Sequence, residues 1–127
     1  MKTICGSLLT LVLFTITSCK KENVNAVYIN FINETGKAIH QISIDNKLID
    51  SIATNAQTGF IQFNTFSSDA GLPFCTFKGA YNNQAMEGLT QFPGCGTGKE
   101  NLKNGKYTVV IKIGQFNATD YFELAFQ

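Results

Sequence analysis

The chain contains no arginine, no tryptophan and a single histidine, His40. Arginine is the side chain that best matches phosphates and base edges, and a nucleic-acid-binding domain carries a basic surface stripe. With a formal net charge of only +1, the chain is not expected to bind nucleic acid. His40 lies beside apolar residues with no nucleophile motif nearby, so we expect no catalytic triad. One histidine also cannot build a His-rich metal site, and we expect no metal and no cofactor.

A carboxylate enzyme is the remaining catalytic possibility, because a glycosidase needs two carboxylates facing each other across a cleft. No sequence spacing singles out such a pair, and most acidic residues lie in predicted turns or on outward strand faces. They are Glu34, Asp45, Asp50, Asp69, Glu87, Glu100, Asp120 and Glu123. The sequence therefore predicts a protein that is not an enzyme; the alternative is a hydrolase that uses carboxylates from separate strands.

Long apolar runs are also scarce, and the longest extends from Ile4 to Ile16. This segment is too short for a permanent membrane helix, which needs about 20 apolar residues. It follows the positively charged start Met1-Lys2 and precedes small residues, as in a cleavable export signal. Ile16-Thr17-Ser18-Cys19 resembles the lipobox of bacterial lipoproteins. The resemblance implies a diacylglyceryl thioether on Cys19, cleavage before Cys19, and fatty acylation (palmitate, for instance) of the new amine.

The lipobox divides the chain into three parts. Residues 1–18 are expected to be a cleaved signal peptide, residues 19–25 a lipidated tether, and residues 26–127 one β-sandwich domain. Removal of 18 of the 127 residues would leave 109, carrying nine lysines and nine acidic residues. We expect a monomer held on a membrane by its lipid anchor, since two or more acyl chains anchor a protein stably.

The residues after Cys19 bear on which membrane that is. Lys20 stands where many Gram-negative lipoproteins carry an Asp that retains them at the inner membrane, which implies the outer membrane. The charged run Lys20-Lys21-Glu22, with the strand-rich body, resembles small uncharacterised lipoproteins of Bacteroidota, some of which reach the cell surface. That group carries no assigned activity to transfer. A periplasmic and a surface-exposed position in the cell envelope both stay open.

The lipobox also sorts the four cysteines. Cys5 would leave with the signal peptide and Cys19 would be lipidated, so Cys75 and Cys95 remain. Export places this pair in an oxidising compartment, where a disulfide is the expected state. The disulfide would stabilise the fold by roughly 3 kcal/mol on the chain-entropy estimate. The alternative is a metal site, which needs two further ligands and has only His40 as a nitrogen donor.

Alternating apolar and polar residues dominate the rest of the chain, and no segment holds a helical period. His40, Ile42 and Ile44 are expected on one face of their strand. Seven or eight short strands predict a single antiparallel β-sandwich of the immunoglobulin-like, Greek-key kind; the alternative is a small up-and-down β-barrel. The predicted strands are 27–32, 38–44, 48–52, 60–66, 74–81, 84–89, 107–113 and 121–126, with a loop at 67–73 and a long irregular stretch at 91–103.

Leu102-Lys103-Asn104-Gly105-Lys106-Tyr107 resembles the Leu-x-x-Gly-x-Tyr signature that precedes a late strand in immunoglobulin-like and related sandwiches. The resemblance implies a tyrosine corner, in which the Tyr107 hydroxyl bonds to upstream backbone. The alternative is a simple Asn-Gly turn that leads into a strand.

The anchor, the missing catalytic set and the long irregular stretch together predict a non-catalytic binding or accessory domain of the cell envelope. Sandwich domains commonly bind through their end loops, so Tyr81 and Phe92 are candidate aromatic contacts for a protein or glycan ligand. A hydrolase inhibitor, with a loop braced by Cys75–Cys95, is a further alternative. Asp50-Ser51-Ile52 resembles, over three residues, an O-glycosylation site of exported Bacteroidota proteins.

Overall fold

The computed structural model describes residues 25–89 and 98–127, and all regular structure in this part of the chain is β. The signal peptide, Cys19, Phe92 and Cys95 lie outside the described residues. Within those two ranges no helix has the length and apolarity needed to span a bilayer. The strands are β1 Val27–Asn33, β2 Ile39–Ile44, β3 Lys47–Ile52, β4 Gln57–Phe63, β5 Ser67–Asp69, β6 Leu72–Phe74, β7 Phe77–Tyr81, β8 Gln84–Glu87, β9 Glu100–Asn101, β10 Gly105–Phe116 and β11 Thr119–Phe126.

Two four-stranded sheets form the body of the domain. The first, called sheet A, has the order β11-β10-β1-β4, and the second, sheet B, has the order β3-β2-β7-β8. A small third sheet holds β6, β5 and β9. The β-sandwich prediction is confirmed, and the strands do not close into a barrel. One pair differs from the expected antiparallel pattern, because β1 and β10 run parallel from Val27/Gly105 to Asn33/Ile111.

The core lies between the two sheets and is built from β-branched residues and phenylalanines. Phe31 of sheet A meets Phe77 of sheet B with ring centroids 6.3 Å apart. Phe77 in turn contacts Phe122 edge-on at 5.0 Å. Aromatic pairs at these distances add to the stabilisation from burial alone. The described residues that form the buried cluster are Val27, Ile29, Phe31, Ile39, Ile42, Ile44, Ile52, Phe63, Phe66, Cys75, Phe77, Val109, Ile111 and Phe122.

The predicted placement of His40 is wrong. Gln41 has φ +51°, and the pairing of β2 with β7 shifts register at the same point. This irregularity breaks the alternation, so that Ile39 and Ile42 are both buried although they are three residues apart. Ile44 is buried as expected, whereas His40 is exposed. His40 therefore does not share a face with Ile42 and Ile44.

The predicted loop at 67–73 and the predicted strand at 74–81 also need correction. Residues 67–73 contain most of two short strands, and the single predicted strand is divided between β6, which ends at Phe74, and β7, which begins at Phe77. β5 and β6 form a small hairpin in which Ser67 pairs with Phe74. The turn of that hairpin is Ala70-Gly71, and both residues have positive φ. Strands of three residues are too short to show an alternation that a sequence pattern can detect. Glu100–Asn101, predicted as irregular, pairs with β5 and was missed for the same reason.

Candidate functional site

A cleft of about 770 Å³ opens at one end of the sandwich. The volume lies within the range of ligand-binding pockets, roughly 300–1,000 Å³. One part of its wall is the β2–β3 turn with Asp45 and Lys47. The rest consists of residues 62–67, which begin at the end of β4, residues 74–76, which precede β7, and Lys99. The cleft therefore gathers four segments that are far apart in the sequence.

Asp45 is fixed to the neighbouring segment before β7 by two hydrogen bonds. The Asp45 amide donates to the Thr76 carbonyl at 2.9 Å, and the Thr76 amide donates to Asp45 Oδ1 at 2.8 Å. Asp45 and Asn46 have φ values of +46° and +64°, which suit a two-residue hairpin turn and favour Asp and Asn. The turn residues are thus also the residues that place a carboxylate in the cleft.

Two lysines bring positive charge to the cleft, and each is held against an aromatic ring. Lys47 Nζ lies 4.9 Å from the centroid of Phe63 and donates a hydrogen bond to the Gln62 carbonyl. Lys99 Nζ lies 4.6 Å from the centroid of Phe74. Such cation–π contacts stabilise an exposed ammonium group by about 0.5–1 kcal/mol. The two ammonium groups are therefore positioned more firmly than free surface lysines.

Cys75 lines the cleft as a free and buried thiol, with 4% of its surface exposed. Burial, with a smaller contribution from the charge of Asp45, raises the pKa of the Cys75 thiol from 9.0 to about 12. The thiol is therefore protonated at neutral pH, whereas a nucleophile or metal ligand must be a thiolate. Cys95, its expected disulfide partner, lies outside the described residues, and the disulfide stays a prediction.

The residues of the tyrosine-corner signature come together at the start of β10. The Tyr107 hydroxyl donates to the Lys103 carbonyl at 2.9 Å, which is the kind of bond that the signature implies. Leu102 packs against the core, and its amide donates to the Phe66 carbonyl at 2.8 Å. Gly105 has φ +152°, a backbone conformation that glycine adopts without strain. Through the bond from Leu102, the motif holds Phe66, which is part of the cleft wall.

Tyr81, predicted as a binding contact, uses both its hydroxyl and its ring in contacts within the domain. Its hydroxyl donates to the Thr35 carbonyl at 2.9 Å, and its ring packs edge-on against Phe122 at 6.3 Å. Phe92, the other predicted contact, lies outside the described residues. Tyr81 is not among the residues that line the cleft.

A second, smaller depression of about 640 Å³ lies between β8 and the β10–β11 hairpin. Its lining includes two carboxylates from separate strands, Glu87 and Asp120. Both residues are exposed. Glu87 forms an ion pair with Lys78 at 3.3 Å, and Asp120 accepts a hydrogen bond from Gln115 Nε2 at 3.2 Å. Each carboxylate thus has its own solvent-exposed partner.

Other acidic residues and His40 do not gather into a site. In ranges 25–89 and 98–127, no group of three or more His, Cys, Asp or Glu side chains is arranged to hold a metal ion. Ser51 of the Asp50-Ser51-Ile52 motif is exposed on β3.

Sequence reasoning missed the two lysines and Asn64 and Thr65 as candidate site residues. Their sequence surroundings are ordinary: Lys47 follows a turn, and Asn64-Thr65 leaves a strand. Only the packing of the two sheets brings these positions to one cleft. The one available signal was the Asp45-Asn46-Lys47 turn, which places charged residues at the end of a hairpin.

No protein-family model and no curated protein matches the chain. Its structure is similar to an NMR structure of a protein from Eubacterium rectale, with a TM-score of 0.50 over 80% of this chain and 88% of that chain. The two sequences are 15% identical over the aligned residues. At that identity the similarity shows the fold alone, a β-sandwich. Any function therefore has to be argued from this chain's own residues.

Proposed function

We propose that the chain is a lipid-anchored protein of the cell envelope whose sandwich domain binds a ligand in the end cleft without catalysing a reaction. The observation that carries the binding part is the composition of the cleft. It places two ammonium groups, a carboxylate, hydroxyls and amides in a space of ligand size. Clefts with a few convergent polar groups are the usual ligand sites of proteins.

The same cleft lacks the groups that hydrolysis needs. Asp45 is its only carboxylate among the described residues, and a glycosidase uses two. The Cys75 thiol is protonated and buried, and no histidine among the described residues lines the cleft to activate it. Binding without chemistry is therefore the activity that this residue set supports best.

The anchor part of the proposal rests on the lipobox at residues 16–19. Cys19→Ser removes the sulfur that would receive the diacylglyceryl group, so labelling with radioactive palmitate should be lost and the precursor should stay unprocessed. Cys5→Ser is the matched control, because it changes a cysteine in the same segment that is not lipidated. Equal labelling of the two variants would contradict the anchor.

The binding part can be tested by filling the cleft. Thr65 is exposed and lines the cleft, so Thr65→Trp should occlude the space without disturbing the core. Thr54→Trp adds the same ring at an exposed turn outside the cleft. Fluorescently labelled polysaccharide from the envelope of the bacterium that makes the protein should bind the wild-type protein and the Thr54→Trp variant. It should not bind the Thr65→Trp variant. Equal binding of the polysaccharide by both variants would show that the cleft is not the ligand site.

A hydrolase is the second candidate, and one observation favours it: Glu87 and Asp120 line the same depression. Against it, the general acid of such an enzyme lies in an apolar pocket, and both of these groups are exposed to water. Glu87→Gln and Asp120→Asn separate the two functions. Loss of measurable glycoside hydrolysis in both variants would establish the enzyme, and no hydrolysis by the wild-type protein supports binding.

A further inference from the structure

The charge balance of the end cleft points to a particular class of ligand. Lys47 and Lys99 bring two positive charges, and Asp45 brings one negative charge. In the described part of the chain, no carboxylate lies within ion-pair distance of Lys47 or Lys99. Both ammonium groups instead lie over phenyl rings, which attract the cation without neutralising it. The cleft thus keeps a net positive charge available to a ligand.

The polar groups around these lysines indicate which other chemical groups the negatively charged ligand carries. The side chains of Asn64, Thr65 and Thr76 line the cleft and are exposed, and each carries groups that can donate and accept hydrogen bonds. Asp45 is an acceptor only, and it already takes one hydrogen bond from the Thr76 amide. Its remaining lone pairs call for donors on the ligand, and hydroxyl groups supply them.

The aromatic residues of the cleft argue against two other ligand classes. Phe66 is buried, with 1% of its surface exposed. Lys47 lies over one face of the Phe63 ring, and Lys99 lies over one face of the Phe74 ring. The covered face of each ring is therefore not free for stacking against a ligand. A neutral sugar or an apolar molecule would therefore find little surface on which to pack. An anionic, hydroxyl-rich ligand matches the groups that are free.

We propose that the end cleft binds an acidic sugar, with the sugar carboxylate between Lys47 and Lys99 and sugar hydroxyls donating to Asp45. This inference rests on the proposed function, in which the cleft is the ligand site. It adds the ligand class and the role of each charged residue.

Calorimetry on the full-length protein in detergent tests the inference, with a galacturonic acid trimer as the probe. Lys47→Met and Lys99→Met keep much of the side-chain length and remove the charge. Each should weaken binding of the trimer at least tenfold, and raising the salt concentration should weaken wild-type binding. Lys78→Met removes a lysine on sheet B, outside the cleft, and should leave affinity unchanged.

Two matched probes separate the possible failures. The same trimer with its carboxylates methyl-esterified should not bind; equal affinity for the ester would overturn recognition of the charge while leaving a sugar-binding cleft. Tighter binding of a glutamate tripeptide would overturn the sugar in favour of an acidic peptide. If none of the three probes binds but Thr65→Trp still abolishes binding of envelope polysaccharide, the ligand class is wrong and the proposed function stands.

Discussion

Asn33 is polar and yet fully buried at the end of β1. Its side-chain nitrogen donates to the carbonyls of Lys37, Ile52 and Ala53 at 2.8, 3.0 and 3.1 Å. Its Oδ1 accepts from the amide and the hydroxyl of Thr35 at 3.0 and 2.7 Å. Buried polar groups that are fully hydrogen-bonded hold backbone segments in one arrangement. Asn33 thus ties the first turn to the end of β3.

Replacing this side chain should be costly. Asn33→Ala removes the side-chain donor of the Ile52 carbonyl at a buried position, so the free energy of unfolding should fall by roughly 2–4 kcal/mol. Urea unfolding followed by circular dichroism measures the change. Asn64→Ala is the control, because Asn64 is exposed and its loss should change stability by less than about 0.5 kcal/mol. Equal effects of the two substitutions would contradict the role of Asn33.

Cys75 gives the reduced protein a specific dependence on pH. Burial raises the pKa of its thiol from 9.0 to about 12 in the folded protein. Between these values the unfolded thiol is ionised while the folded thiol still holds its proton. The unfolded state then binds fewer protons, so stability is present at neutral pH and falls as pH rises above about 9.

The expected slope is about 1.4 kcal/mol per pH unit, measured as the difference in unfolding free energy between the reduced wild-type protein and Cys75→Ala. Subtracting the variant removes the contribution of the lysines and tyrosines that titrate in the same range. A disulfide from Cys75 to Cys95 would remove the titrating thiol, so the oxidised protein should lack this slope. A slope that survives oxidation would contradict the disulfide.

At the scale of elements, the hairpins depend on two-residue turns with positive φ at both positions. They occur at Asp45-Asn46, Ala70-Gly71, Asn82-Asn83 and Asn117-Ala118. This backbone shape matches the twist of the paired strands and is favoured by Asn-Gly and Asp-Gly. Ala118, with φ +62°, is a residue that adopts this conformation only with strain.

Ala118→Gly should therefore stabilise the β10–β11 hairpin. Relief of the left-handed strain is worth about 1–2 kcal/mol, and the greater freedom of glycine in the unfolded chain offsets about 0.4–1 kcal/mol. The melting temperature should rise by a few degrees. Ala125→Gly, in the paired part of β11 near its end, makes the same change without positive φ and should lower it. A lower melting temperature for Ala118→Gly would contradict the turn geometry.

How far the elements follow from the sequence depends on their pattern. β1, β10 and β11 alternate over most of their length, and the predicted strands coincide with them apart from their ends. The irregularity at Gln41 was not predictable, because no glycine or proline marks it. β5, β6 and β9 were missed because strands of two or three residues show no alternation and pair only when the surrounding sheets hold them together.

At the scale of the molecule, a few contacts link the two main sheets at each pair of facing edge strands. On one side Gly88 forms a parallel bridge with Phe122, and the Leu89 amide donates to the Phe122 carbonyl at 3.3 Å. On the other side Lys47 of β3 bonds to the Gln62 carbonyl of β4. The end cleft lies at this second contact, so Lys47, which links the edge strands β3 and β4, is also a residue of the site.

The site itself was only partly within reach of the sequence. The absence of arginine and the single histidine argue against nucleic-acid binding and a catalytic triad, and composition alone carries that inference. Lys47 and Lys99 are 52 positions apart, and no local pattern connects them. Tyr81 was chosen as an exposed aromatic, but its place in a strand allowed its ring to turn toward Phe122.

Chemical-shift mapping by NMR tests most directly whether the end cleft is the ligand site. Backbone amide signals of the isotope-labelled full-length protein in detergent would be followed while polysaccharide from the host envelope is added. We predict that the largest shifts fall at Lys47, residues 64–67, Thr76 and Lys99. Shifts confined to Glu87 and Asp120 in the second depression, or to the outer face of sheet B around His40, would contradict the account.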